Sequence, residues 1–285
     1  TSILTGLYPL HHHARENLTP PQLVKSEASI VWKFRELGYS TLFASDERRF
    51  NTVDKDFGFQ KIIGPKLGVN DLLLGNLYDF PLSNLLINSK ISRWLFPYNY
   101  MNRASHYVYF PKTFDRALAT TLKEKENSQP LFLAVHFTLP HWPYSWAESW
   151  GAKNGKVSTV NEEKILYRSA LKRVDQQIAS LLAQLKRRGF LSNSLVFILS
   201  DHGEALDEKG SRITALKNYQ GISPSPLVHY FKDKMSTTLE KSTGHGSDLL
   251  SPVQFHCLLG VKIFHHDKQM TAAKTIKTRV ALIDI

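Results

Sequence analysis

The chain predicts an α/β fold on a mainly parallel sheet covered on both faces, and three observations carry that prediction. Apolar strand-like runs alternate with segments of helical periodicity, the longest helical segment feeds an apolar run through one glycine, and no internal repeat or low-complexity tract breaks the alternation. With 285 residues, 42% of them hydrophobic and 21% charged, the chain can bury a sizeable core, and its composition excludes disordered and fibrous classes.

The elements follow in order. Thr19-Pro20-Pro21-Gln22 reads as a helix start, with Pro in the first turn and a Gln placed to complete a capping box. Gly38 is the stop, and Leu23, Ile30, Val31, Phe34 and Leu37 line one face between them. A strand over 41–44 comes next. Residues 67–110 are apolar and aromatic-rich, broken by Pro81 and Pro97, and read as a folded insertion with its own small core, a lid, or a surface that touches a bilayer. The run 131–137 is a strand that enters a Pro-flanked turn carrying His141, and His136 within it reads as structural. A helix over about 161–188 carries Leu171, Val174, Ile178, Leu181 and Leu185 at three-and-four spacing, a core-facing stripe. Gly189 then leads to Leu195-Val196-Phe197-Ile198-Leu199, a buried strand, and residues 210–241 form a polar and basic loop or hairpin before His245.

Chemistry enters at Ser200-Asp201-His202-Gly203-Glu204, which sets a carboxylate beside an imidazole where a strand stops. In open α/β sheets ligands bind at the carboxyl ends of strands. An Asp oxygen next to a His nitrogen suits a divalent cation on the harder side of the scale. The bland alternative is that Asp201 caps a turn and His202 is a loop residue. Two more turns deliver a histidine beside the sheet: His141, and His245 in Thr243-Gly244-His245-Gly246-Ser247, where the glycines allow close approach of a ligand. Three such turns point to one site. A net charge of +11 suggests an acidic partner, whether sulfate or phosphate ester, anionic polysaccharide, lipid head group or nucleic acid. No basic run interleaved with aromatics is present, so nucleic acid is not expected. Cys257 is the sole cysteine, which excludes an internal disulfide, and no apolar run reaches about 18 residues, so no spanning helix is expected in this segment.

These residues resemble the sulfatase family of the alkaline phosphatase superfamily. Ser2-Ile3-Leu4-Thr5-Gly6-Leu7-Tyr8-Pro9 resembles the tail of the sulfatase signature, and residues 12–17 continue it, so that His11, His12 and His13 are native rather than a tag. Gly38-Tyr39-Ser40-Thr41 is similar to the family's next strand entry, Tyr167 and Asp175 fit its long helix, and residues 279–285 resemble the element before its Pro-Thr motif. The resemblance implies a single catalytic domain over 1–285 with a three-layer α/β/α sandwich of alkaline phosphatase type, residues 67–110 being an insertion within it. It also implies a divalent metal, Ca²⁺ first and Mn²⁺ or Mg²⁺ next, held by Asp201 and His202. The Asp-His form of that pair also occurs in phosphonate monoester hydrolases. His141 matches the substrate-facing histidine, and His245 falls where the family places a Lys or His near the leaving group. Glu204 either orients His202 from behind or faces solvent.

Two departures shape the functional expectation. Asp46 and Arg48 stand where sulfatases commonly carry Lys and His, which makes them the candidate substrate-binding residues. Arg48 or Arg49 could hold an anion in bidentate form, and a solvated charged loop is the alternative. The family's nucleophile, first acidic metal pair and anion-binding Arg lie upstream of Thr1, so the chain is expected to be an internal piece of a longer protein, cut at both ends and inactive alone. The resemblance favours a periplasmic, extracytoplasmic or membrane-anchored parent, with possible membrane association. The first function expected is metal-dependent hydrolysis of sulfate esters through a covalent intermediate. The alternatives are a phosphoester or phosphonate hydrolase, a phosphoethanolamine-type transferase on lipid or glycan, and a non-catalytic relative that binds anions. In each case the partner is an anionic ester on a small molecule, glycan or lipid.

Overall fold

The computed structural model describes residues 1–16, 19–48, 51, 53–66, 80–103, 109–126, 128–142, 144, 146, 160–207, 243–246, 252–270 and 272–285. The chain divides into two compact units, the first Thr1–Leu139, Val174–Ser192 and Ala273–Ile285, the second Pro140–Arg173 and Asn193–Ala272.

Unit 1 holds a parallel sheet of β1 (Ser40–Ser45), β2 (Lys61–Ile63) and β3 (Leu131–His136) in the order β2-β1-β3. Every residue of the central strand is buried, so its polar side chains bond internally. Thr41 Oγ1 donates to the Gly58 carbonyl at 2.9 Å, and Lys125 Nζ donates to Ser40 Oγ at 2.7 Å. The helix Ile30–Glu36, capped by Ser29 Oγ accepting from the Val31 N–H, leads into β1. The helix Pro111–Lys123, with Pro at its first position, leads towards β3 and buries Phe114, Leu118 and Leu122 at fourfold spacing. Val24, Val31, Phe43, Val53, Phe57 and Phe59 form the core cluster, with Phe132 packed against it. A parallel sheet fed by helices is the α/β class expected.

The helix expected from Thr19 to Gly38 is in fact two 3₁₀ turns, Pro21–Leu23 and Ser26–Ala28, followed by the helix Ile30–Glu36. Val24 and Ser29 are extended, which breaks the run. The capping box does not form: the Thr19 hydroxyl accepts from the Glu16 N–H at 3.3 Å and donates to the Glu16 carbonyl at 2.9 Å, so it faces back along the chain. Gly38 does follow the last turn, at φ +84°.

Unit 2 contains an antiparallel sheet of β4 (Asn193–Leu199), β7 (Leu259–His265) and β8 (Lys268–Gln269), together with a two-residue ladder between β5 (Ala205–Leu206) and β6 (Thr243–Gly244). The run 195–199 was expected to be a buried strand. It is half exposed: Leu195 and Phe197 lie open, with Ile263 and Val261 opposite them. An antiparallel pleat puts alternate residues on opposite faces, and an apolar run does not say which face is covered. The long helix is Val160–Arg187, close to its expected bounds, and buries Ala170, Gln177 and Leu185, while Leu171 of the expected core stripe is exposed.

Of the insertion, residues 80–103 and 109–110 are described. They form the short helices Pro81–Ile87, Ser92–Leu95 and Pro97–Met101, bury Ile87, Phe96 and Tyr109, and leave Phe80, Leu82, Leu85, Ile91 and Trp94 exposed. The loop expected over 210–241 lies outside the described residues. Among the described residues no helix is long and apolar enough to cross a membrane.

Candidate functional site

The end of β4 starts the site. Ser200 is fixed by two bonds, its N–H donating to the Leu258 carbonyl at 3.1 Å and its Oγ accepting from the Leu258 N–H at 2.9 Å. Gly203 donates to the Gln254 carbonyl at 2.8 Å, and a Cβ there would collide with the Val253 carbonyl oxygen, so only glycine fits this close approach. Between these anchors stand Asp201 and His202. The His202 backbone N–H donates to Asp201 Oδ1 at 3.1 Å, and its Nε2 lies 3.8 Å from the same oxygen. Both side chains are accessible.

The next three residues bring the second histidine in. Ala205 pairs with Gly244 across the β5–β6 ladder, which sets Glu204 beside His245 although 41 positions separate them. His245 Nδ1 donates to Glu204 Oε2 at 2.6 Å, and the Tyr144 hydroxyl donates to Glu204 Oε1 at 2.9 Å. The Glu204 side chain is only 5% exposed, so a carboxylate that would be costly alone holds a donor on each oxygen. The His245 ring stacks on His202 at 4.1 Å and meets His141 edge to face at 5.0 Å. Tyr144 packs edge-on against Tyr167 of the long helix at 5.6 Å.

All three imidazoles aim Nδ1 at an oxygen acceptor. That acceptor is the Trp142 carbonyl for His141 at 2.7 Å, the Gly203 carbonyl for His202 at 2.8 Å, and Glu204 for His245. A carbonyl or carboxylate can only accept, so Nδ1 carries the proton in each neutral ring. The Glu204 bond, more than any other factor, raises the pKa of His245, against the opposing effect of burial, and the Asp201 charge adds to the rise. Burial, then the Glu204 charge, pushes the Tyr144 hydroxyl up, so it stays a donor.

The donors present suit a divalent cation. Asp201 and His202 offer adjacent oxygen and nitrogen atoms, and His202, Glu204 and His245 bring ligand-type atoms within 4.8 Å of one another. Glu204 was expected either behind His202 or facing solvent; its side chain is buried, and its oxygens accept from His245 and Tyr144. Tyr144 was not singled out in the sequence, where its place just after a Pro-flanked turn was the one available signal.

The other two sequence candidates lie in unit 1. Asp46 is fully buried: its Oδ1 accepts from the Thr138 N–H at 3.0 Å and the Thr138 hydroxyl at 2.8 Å, and its Oδ2 accepts from the Tyr109 hydroxyl at 3.1 Å. That makes it an internal acceptor rather than an open contact. Burial raises its pKa against the pull of Thr138 and the charge of Arg103. Arg48 pairs with Asp54 at 2.9 Å. Ser2 Oγ lies 2.8 Å from Nε2 of the buried His12, but the Ala14 N–H donates to His12 Nδ1 at 3.1 Å. The neutral ring then carries its proton on Nε2 and donates to Ser2, so it cannot act as that hydroxyl's base.

The family is the Sulfatase family: its model matches residues 1–253, and the chain belongs to it. The chain is similar to Arylsulfatase J of Mus musculus, 24% identical over 213 residues, 71% of this chain and 34% of that protein. It is also similar to the uncharacterized sulfatase YdeN of Escherichia coli (strain K12), 23% identical over 150 residues, 50% of this chain and 25% of that protein. Thus it spans about a third or less of the length of these relatives. Among solved structures, Ps i-CgsB in complex with k-i-k-neocarrahexaose is 17% identical with a TM-score of 0.44, covering 71% of this chain and 47% of that one.

Proposed function

We propose that the intact protein hydrolyses sulfate esters, and that this chain supplies the side of the site that faces the leaving group. The observation that carries the reading is the cluster in unit 2, with three imidazole rings packed at 4.1 and 5.0 Å around a buried carboxylate. Asp201 and His202 would hold a divalent ion, which as a Lewis acid supplies charge stabilisation at an anionic oxygen. As a nucleophile bonds to sulfur and the bond from sulfur to the leaving oxygen breaks, Nε2 of protonated His245 gives its proton to that oxygen, a role typically worth roughly 10²- to 10⁴-fold. His141 hydrogen-bonds the transferred group.

The test is a leaving-group series in the full-length protein. With His245→Ala, loss is greatest for substrates with poor leaving groups and small for nitrophenyl sulfate, because an acidic leaving group needs little protonation. His141→Ala lowers both. Equal losses for His245→Ala across the series would remove its proton-donor role. Phosphoester cleavage is the second reading. It is favoured by the Asp201-His202 form of the metal pair and by Asp46 and Arg48, which replace the usual Lys and His and are engaged internally. Faster turnover of phosphate or phosphonate esters than of sulfates would select it.

A further inference from the structure

We infer that Tyr144 is a positioning residue that ties the two imidazoles together, His141 through its backbone and His245 through Glu204. The tie rests on geometry alone, and its consequence for turnover rests on the functional reading above. Tyr144 has a backbone φ of +58°, a left-handed conformation that a bulky residue adopts only when its surroundings impose it. Its N–H donates to the His141 carbonyl at 3.1 Å and closes the turn that presents His141. Its hydroxyl donates to Glu204 Oε1 at 2.9 Å, and Glu204 Oε2 accepts from His245 Nδ1 at 2.6 Å. The two rings at the ends of this chain of bonds meet at 5.0 Å.

The hydroxyl has a definite task within this arrangement. Tyr144 is 1% exposed and its ring is packed against Tyr167, so the hydroxyl is a fixed donor. It engages one oxygen of Glu204 and leaves the other directed at His245, which sets both the rotation and the tautomer of that ring. Without the hydroxyl, the carboxylate can turn away, so the Nδ1–H of His245 loses its acceptor part of the time and the neutral ring populates both tautomers. Phenylalanine at 144 preserves the ring, the packing and the backbone bond, and removes only this restraint.

The experiment has two arms. In the 285-residue chain labelled with ¹⁵N, the imidazole nitrogen shifts of His245 are read at a pH where the ring is neutral. Wild type shows a single Nδ1–H tautomer, and Tyr144→Phe shows a mixture. Glu204→Ala, which removes the acceptor itself, gives at least as much mixing. In the full-length protein, Tyr144→Phe lowers kcat for poor leaving groups about 10- to 100-fold with KM unchanged, the scale typical of partners that orient a ligating or reacting histidine. An unchanged His245 tautomer in Tyr144→Phe overturns the tie, whatever the kinetics. A tautomer that becomes mixed while kcat for poor leaving groups stays at the wild-type value upholds the tie and overturns the proton-donor role of His245.

Discussion

Gly203→Ala is the sharpest single perturbation of the site. Gly203 is not held at positive φ, so no dihedral strain enters and the whole effect comes from one methyl group. That methyl would overlap the Val253 carbonyl oxygen and sit 3.1 Å from the His256 carbonyl, both of them backbone atoms that cannot rotate aside. Either the helix Pro252–Phe255 or the turn 201–204 must move, and the bond from the Gly203 N–H to the Gln254 carbonyl, 2.8 Å long, weakens with it. Forcing a methyl into a packed place costs about 1–3 kcal/mol. A cost of about 2 kcal/mol lowers the thermal midpoint by roughly 4–8 °C at this chain length. Asp201, His202 and Glu204 ride on the same turn, so their geometry shifts too. Urea unfolding of the 285-residue chain reads the first effect, and histidine ¹⁵N spectra read the second. Gly244→Ala is the contrast: that residue sits at φ +104° with nothing within 4 Å of the added carbon, so only backbone strain is introduced. A Gly203→Ala protein within about 0.5 kcal/mol of wild type, the range of an ordinary surface change, with unmoved histidine resonances would refute the close-packing argument.

Two further outcomes follow. Burial raises the pKa of Asp46, so the native state holds that proton more tightly than the unfolded chain does. The contribution is complete below the unfolded carboxyl value of about 4 and is lost as pH rises through the raised native value, so the stability advantage of wild type over Asp46→Asn should shrink from acid to alkaline pH. Urea titrations at pH 5 and pH 8 measure it, and an advantage that grows with pH contradicts the sign. For the metal, Asp201→Ala in the full-length protein should strip the bound divalent ion, read by elemental analysis and calorimetry, and unchanged content would dismiss Asp201 as a ligand.

The strand-end placement of Asp201 and His202, the Pro-flanked turn of His141 and the glycine-flanked turn of His245 were legible because each is written in contiguous residues. What joins them was not. The Glu204–His245 bond depends on a ladder only two residues long, too short to leave a periodic signal, and it pairs residues 41 positions apart. The same limit misled at Asp46. A charged residue just after a strand reads as open to a ligand, yet its burial is decided by Thr138, 92 positions away, and by Tyr109. The helix expected from Thr19 failed for a local reason. Its capping signal was real, but the Thr19 hydroxyl turns back to both the N–H and the carbonyl of Glu16. Apolar character at 195–199 gave the strand and not its partner, since parallel and antiparallel pairing draw on the same residues.

The buried carboxylate explains why the site in unit 2 can be specific without much regular structure around it. Its immediate frame is a two-residue ladder and a series of turns, elements with little intrinsic preference for one geometry. A carboxylate nearly sealed from water reverses that weakness. Leaving either oxygen unsatisfied costs more than the bond itself contributes, so arrangements in which Tyr144 or His245 drifts away are penalised out of proportion to one hydrogen bond. The penalty falls on alternatives rather than adding stability to the native form. It therefore acts on the position of the His245 ring, and through the backbone of Tyr144 on the turn of His141, more than on the unfolding free energy of the unit.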